Sequence, residues 1–369
     1  MNRFRFTGKL ALQQRVLPRY RAPFFDLLAS ACEGGMSLFT GLPRPVEGIA
    51  TTDQLQVADY QTGKNIHLFR GSFYLCYQPG LIDWLKNWDP DALIVEANPR
   101  YLSTPAAVKW MHRRGRAVIG WGLGAPPSPP PLSQGERGLQ ARVWPSFLHQ
   151  FDAMISYSQR GAEEYAALGF PCEKIFVAHN AVSRAPTSTP DPRPLTVDRF
   201  TILFVGRLQA RKRVDSLLRA CAQLKESPRL VIVGDGPEHE NLKALAREIY
   251  PRAEFVGARH GAELKPFFTE AELFVLPGTG GLAIQEAMSY GLPVIVAQGD
   301  GTQDDLVRKE NGWQIPPDDF EALFSTIKDA LSDVARLRRM GEESYRIVKE
   351  EINIEKMVET FVTALNRLS

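Results

Sequence analysis

The feature that most limits the fold is a repeated alternation. Short runs of β-branched and aromatic residues are separated by stretches with helical periodicity, and the alternation is broken once by SRAPTSTPDPRPLTVD at 183–198. Such alternation predicts mostly parallel sheets covered by helices. The Pro-, Ser- and Thr-rich breaker is the best candidate for a domain boundary. Before it, KLALQQRVL, MSLFTGL, ALIVEANPR, AVIGWGLG, FDAMISYS and KIFVAHNAV read as strands, with helices over 20–32, 103–114 and 160–168. After it, FTILFVGRL, RLVIVGDG, AEFVGA, LFVLPG and PVIVAQ read as strands of a doubly wound domain, with helices between them and over 318–335 and 337–367. Open sheets of this kind bind ligands at the carboxyl ends of their strands.

A chain of 369 residues has room for two domains, each with its own core. A charged fraction of 23% and an aromatic fraction of 10% exclude a mainly disordered chain. The net charge of +2 argues against nucleic acid as a partner. It hides an asymmetry: residues 1–182 hold 19 basic and 14 acidic side chains, the remainder 25 and 28. The four cysteines, Cys32, Cys76, Cys172 and Cys221, form no CxxC pair, which predicts neither a zinc site nor a disulfide framework and suits the cytoplasm. No stretch resembles a signal peptide or approaches the ~20 apolar residues of a membrane span, so a soluble or peripheral protein is expected. APPSPPPLSQGERG at 125–138 excludes helix and central strand and is expected to be a flexible insertion.

Three motifs carry chemistry. In VGRLQARKR, residues 205–213, a strand ends at Gly206, and Arg207 and Lys212 emerge at its carboxyl edge, where two cations suit a diphosphate. A solvated helix start reads the same way. In LPGTGGLAIQEAMSYGLPVI, residues 276–295, a strand enters a turn with Gly278, Gly280 and Gly281, followed by Leu282, Ala283 and a helix with Glu286. Glycines admit a phosphate close to the backbone, and a carboxylate there can accept hydrogen bonds from a ribose diol; a plain strand-to-helix turn is the alternative. VIVGDGPE at 231–238 sets Gly234 and Gly236 in a tight loop without a full dinucleotide fingerprint.

In this order, with FVG at 255–257 and NGW at 311–313, the motifs resemble the retaining glycosyltransferases of family four. The resemblance covers essentially the whole chain and is most specific from Phe204 to Pro316. It implies an α/β architecture of GT-B type: two Rossmann-like domains facing each other across a cleft. The domains implied are residues 1–182 for the acceptor, a linker at 183–198, 199–345 for the donor, and a helix at 346–369 crossing back to the first. The resemblance assigns the donor diphosphate to Arg207 and Lys212, the phosphates to the turn from Gly280 to Ala283, and the donor ribose to Glu286. Gly206, Gly234 and Gly236 complete the expected nucleotide site, and Arg207, Lys212 and Glu286 are the expected catalytic set. Two departures stand out. Gly278 occupies the place of the family's first glutamate, and the stretch Gly120, Trp121, Gly122, Leu123 lacks the family's histidine.

The implied activity is transfer of a hexose, with retention and without metal or cofactor, from a UDP- or GDP-sugar to a glycan or lipid-linked acceptor in cell-surface polysaccharide or glycolipid synthesis. A non-catalytic nucleotide-sugar-binding subunit of another transferase is the alternative. On the acceptor side the candidates are Arg15, Arg19 and Tyr20 after the first strand, with Glu96 at the end of another. The basic cluster beside Phe24, Phe25, Leu27 and Leu28 is consistent with peripheral contact to an anionic membrane, on the inner face, or with a core-facing helix.

Overall fold

The structure, a computed structural model, describes residues 4–125, 144–188, 200–299 and 301–368. The chain divides into two compact units, Met1–Asn180 with Ile354–Ser369, and Ala181–Asn353. The return to the first unit therefore comes at Ile354, where 346 was expected. Of the expected insertion only Ala125 lies within the described residues, and 189–198 of the expected linker lie outside them.

The first unit contains β1 (Leu10–Val16), α1 (Ala22–Ser30), β2 (Met36–Gly41), β3 (Asp59–Thr62), β4 (Ile66–Leu68), β5 (Leu75–Tyr77), α2 (Leu81–Trp88), β6 (Ala92–Glu96), α3 (Thr104–His112), β7 (Ala117–Gly122), α4 (144–148), β8 (Ala153–Ser156), α5 (Gln159–Ala167) and β9 (Ile175–Val177). The second contains β10 (Thr201–Val205), α6 (Val214–Gln223), β11 (Arg229–Val233), α7 (His239–Ile249), β12 (Glu254–Gly257), α8 (Lys265–Glu270), β13 (Leu273–Leu276), α9 (Ala283–Ser289), β14 (Val294–Ala297), α10 (Thr302–Leu306), β15 (Gly312–Ile315), α11 (Phe320–Ser332) and α12 (Val334–Glu350). The last helix, α13 (Ile354–Asn366), belongs to the first unit.

Both large sheets are parallel and doubly wound. The order is β3-β2-β1-β6-β7-β8-β9 in the first unit and β12-β11-β10-β13-β14-β15 in the second. Each reverses direction beside its first strand, at β1/β6 and at β10/β13, the switch point where open sheets bind ligands. Helices cover both faces of the second sheet, and its central strands β13 and β14 are apolar and buried at every position, whereas the central β1 of the first sheet is apolar only up to Leu12 and then carries Gln13, Gln14 and Arg15. The small antiparallel pair β4-β5 stands apart from the first sheet.

Three expectations change. Phe24, Phe25 and Leu28 of α1 are buried core residues, with Phe24 packed edge-on against Phe361 of α13, so they are withdrawn from any membrane. Arg15 lies within β1 rather than on the loop after it. The expected helix over 337–367 is two helices: Asn353 Nδ2 donates to the carbonyls of Val348 (2.9 Å) and Lys349 (3.1 Å), satisfying the end of α12 and stopping it.

Candidate functional site

At the carboxyl edge of the second sheet, three loops stack on one another. Gly206 follows β10 and its amide donates to the Val233 carbonyl at 3.0 Å. A Cβ on Gly234 would collide with the Gly206 carbonyl oxygen, and one on Gly236 with that of Leu208. The two loops are tied by the Leu208 amide to the Asp235 carbonyl (2.9 Å) and the Glu238 amide to the Leu208 carbonyl (3.1 Å). Gly234 and Gly236 thus let one backbone lie directly on another, which accounts for both glycines without a ligand. They support the segment that carries Arg207, an exposed side chain at the strand's end.

Lys212 sits at the end of a short 3-10 turn, Ala210–Lys212, and is only 6% exposed. Its ammonium donates to the Thr279 carbonyl at 2.8 Å and to that of Gly280. Burial, with the neighbouring Arg211 cation, lowers its pKa to about 8. Arg211 also reaches the turn, its Nη1 donating to Thr279 O at 3.2 Å and its own carbonyl accepting from the Thr279 amide at 3.2 Å. Arg211 was not singled out from the sequence; its place in the same RKR run was the available signal. Two cations therefore hold the β13–α9 turn.

That turn explains one departure from the family pattern. A Cβ at Gly278 would overlap the Arg211 carbonyl oxygen and the Lys212 Cα. No side chain fits there, glutamate included, because the lysine-bearing turn occupies the space. Gly280 has φ +65°, in the left-handed region, and a Cβ there would meet nothing closer than 3.6 Å. Gly281 lies against Leu276, followed by half-buried Leu282 and Ala283. Glu286 is half-buried on α9, and burial raises its pKa above the usual carboxylate range. Its neighbour Gln285 is buried; Oε1 accepts from the amides of Val182 (2.6 Å) and Ser183 (3.0 Å), and Nε2 donates to Ile352 O (2.7 Å).

In the first unit, the β1/β6 switch point is closed by Glu96. One carboxylate oxygen accepts from the Arg15 amide and the other from the Tyr101 hydroxyl, both at 2.9 Å. The Arg15 guanidinium pairs with Glu47 at 2.9 Å. Arg19 and Tyr20 remain exposed on a 3-10 turn. Arg21, by contrast, is buried, donating to Asn180 Oδ1 and Met357 Sδ and lying over the rings of Trp121 and Tyr157. Trp121, in the stretch lacking a histidine, is a fully buried core residue. Among the described residues no three His, Cys, Asp or Glu side chains converge in a way that suits a metal, and no helix is long and apolar enough to cross a membrane.

Residues 199–333 match the family described as glycosyl transferases group 1. The chain is 26% identical over 305 residues to the lipopolysaccharide core biosynthesis glycosyltransferase LpsE of Rhizobium meliloti, covering 76% of this chain and 87% of that protein. It is 37% identical over 195 residues to a GDP-mannose-dependent alpha-mannosyltransferase of Mycobacterium tuberculosis, covering 49% of this chain and 48% of that protein. Against most of the curated relatives it matches, the chain spans about half of their length. Among solved structures it resembles HepE from Anabaena in complex with UDP, with a TM-score of 0.73 at 17% identity over 98% of this chain and all of that one. Residues 199–333 therefore form a glycosyl transferases group 1 domain, within a chain whose two parallel-sheet units have the GT-B fold.

Proposed function

We propose that this chain is a retaining, metal-independent glycosyltransferase that takes a hexose from a UDP- or GDP-sugar and passes it to a glycan or lipid-linked acceptor of the cell surface. The observation that carries the reading is Lys212: a buried cation whose hydrogen-bond acceptors are neutral carbonyls and whose charged neighbour is another cation, at the sheet's switch point. A site with that excess of positive charge suits a diphosphate. Arg207, Lys212 and the amides of the Gly280–Ala283 turn hold the leaving group, and Glu286 takes the ribose hydroxyls. The C1–oxygen bond to the diphosphate breaks, the acceptor oxygen bonds to C1 from the same face, and its proton passes to a diphosphate oxygen. Cations already in place stabilise the charge that develops on the leaving group.

The LpsE relative, named for lipopolysaccharide core biosynthesis, supports a surface-glycan acceptor. The mannosyltransferase and the UDP-bound neighbour support GDP and UDP donors respectively. The acceptor is placed on the first unit near Arg15, Arg19, Tyr20 and Glu96, in the cytoplasm or peripherally on an anionic membrane. The test is a panel of UDP- and GDP-sugars with candidate acceptors, with and without EDTA, the product's anomeric configuration being read by NMR. The expected outcome is product with the donor's configuration and no loss with EDTA; inversion, or EDTA-sensitive turnover, overturns the corresponding part. Arg207→Ala and Lys212→Ala should each lower kcat/KM by more than about tenfold, ~1.4 kcal/mol. Wild-type rates in both overturn the site.

A further inference from the structure

Helix α2 covers only part of its side of the first sheet. Ser37 and Phe39 of β2 face it, and the parallel register sets Asp59 and Gln61 of the edge strand β3 beside them on the same face. Between β3 and α2 lies a cleft of about 420 Å³. That volume falls within the ~300–1,000 Å³ of small-molecule sites, enough for a short ligand and not for a folded partner. The floor of the cleft is aromatic. Phe39 and Trp84 are buried with their rings 5.2 Å apart, and Trp88 is half-buried. Both indole N–H groups are already used within the protein: Trp84 Nε1 donates to Ser37 Oγ and Trp88 Nε1 to Leu10 O, each at 3.0 Å. The two indoles therefore offer the cleft carbon surface alone. The Ser37 hydroxyl in turn donates to Asp59 Oδ2 at 2.6 Å, which fixes that carboxylate in place.

The rim is polar and exposed. Gln61 and, just after β3, Lys64 stand on one side, with Asp83 and Asn87 one turn apart on α2. Carboxylates accept, the ammonium donates, and the two amides do both. Among the lining residues and their ion-pair partners the charges balance: Asp83 pairs with Lys86 at 2.9 Å, and Asp59 is matched by Lys64. The cleft thus lacks the surplus of cations found at the donor loops, and neither a phosphate nor another charged ligand gains from it. A fixed carbon floor bounded by donors and acceptors suits a neutral ligand whose faces are C–H and whose edges are hydroxyls. A pyranose ring has that form.

We propose that the cleft between β3 and α2 is a saccharide-binding site, taking a short neutral stretch of glycan at the edge of the first sheet, with β2 and β1 between it and the switch point. That this glycan is the acceptor, gripped at a unit remote from the reacting hydroxyl, rests on the transferase reading above. The test uses the full chain without donor, in saturation-transfer NMR and titration with maltotriose, cellotriose and mannotriose, and with trigalacturonate as the acidic counterpart. A neutral trisaccharide should bind, with saturation strongest at its ring C–H protons, and trigalacturonate should not. Gln61→Ala/Lys64→Ala and Asp83→Ala/Asn87→Ala alter exposed positions only. Each should weaken neutral binding by roughly fivefold or more while the melting temperature holds. Trp88→Leu should remove the saturation of the ring protons; since it also cuts the bond to Leu10 O, the rim variants decide if it does not fold. The proposal is overturned if no neutral trisaccharide binds, if trigalacturonate binds equally well, or if the rim variants bind as the wild type does. UDP or GDP binding is measured on the same variants and should be unchanged. Saccharide binding without nucleotide binding would fault the transferase reading and leave the cleft standing; nucleotide binding and transfer with no saccharide at the cleft would do the reverse.

Discussion

Lys212 combines two demands that pull against each other. Packing its ammonium under the Thr279 and Gly280 carbonyls removes it from water, and Arg211 adds repulsion, so the group loses its proton near pH 8. A diphosphate favours the charged form and draws a proton back. The sign follows from linkage. Below about pH 8 the free protein already holds the proton, and donor affinity is flat with respect to this group. Above it, binding must take up a proton, and affinity falls by up to about tenfold per pH unit. Calorimetric titration of UDP or GDP at pH 7 to 9.5, in buffers of different ionisation enthalpy, should show that proton uptake. Lys212→Met should bind more weakly and lose the slope. A slope that persists in the variant would transfer the titration to another group. For stability the same shift runs oppositely: a lowered lysine pKa withdraws stability as pH falls from 10.5 toward 8 in the unliganded protein.

At the scale of elements, the candidate donor site is three loops that touch backbone to backbone. The Gly278 position shows what that contact demands. Restoring the family's glutamate by Gly278→Glu should not improve transfer, because even Gly278→Ala drives a Cβ into Arg211 O and Lys212 Cα. Overpacking of this kind costs about 1–3 kcal/mol and displaces the lysine-bearing turn. We expect both variants to melt earlier and bind nucleotide more weakly, as read by thermal shift with and without UDP or GDP; equal binding would show that the turn yields without moving Lys212. The same loops show what was legible beforehand. The glycines and cations of 205–213 and 276–286 were visible because glycine at strand ends and clustered charge are local signals. The reason for Gly234, Gly236 and Gly278 was not visible, since it lies in segments more than 25 residues away in the chain. Buried strands such as FTILFV and LFVLPG announce themselves by composition. The edge strand β3, DYQT, does not, since three of its four residues are exposed and its pairing depends on β2. Equally, nothing local in APFFDLLAS separates a membrane-facing helix from a core helix; its burial against α13, more than 320 residues further on, decides.

At the scale of the whole molecule, the chain passes from one unit to the other twice, at Asn180–Ala181 and at Asn353–Ile354. Each unit grips both passages with one buried polar side chain of its own. In the first unit Arg21 donates to Asn180, just before the outward passage, and to Met357, just after the return. In the second unit Gln285 accepts from Val182 and Ser183 and donates to Ile352. Because Gln285 precedes Glu286 on α9, the helix assigned to the donor ribose is tied to both passages by adjacent residues. Removing the amide in Gln285→Ala strands two backbone donors and one acceptor. At about 1–3 kcal/mol for an unsatisfied buried group, with water partly replacing the more exposed partners, the total should be about 2–4 kcal/mol. Over a unit of this size, each kcal/mol lowers the melting temperature by about 2–4 °C. Gln285→Glu gives the sharper test. A carboxylate still accepts from Val182 and Ser183, but its second oxygen meets the Ile352 carbonyl, acceptor against acceptor, unless it is protonated. The folded state therefore raises that carboxyl's pKa, and the variant is most stable in acid and loses stability as pH rises through the raised value. Melting curves of the wild type and Gln285→Glu between pH 5 and 8 should diverge with increasing pH. Parallel curves would mean that the Ile352 contact carries no weight and that α9 is held to the passages by packing alone.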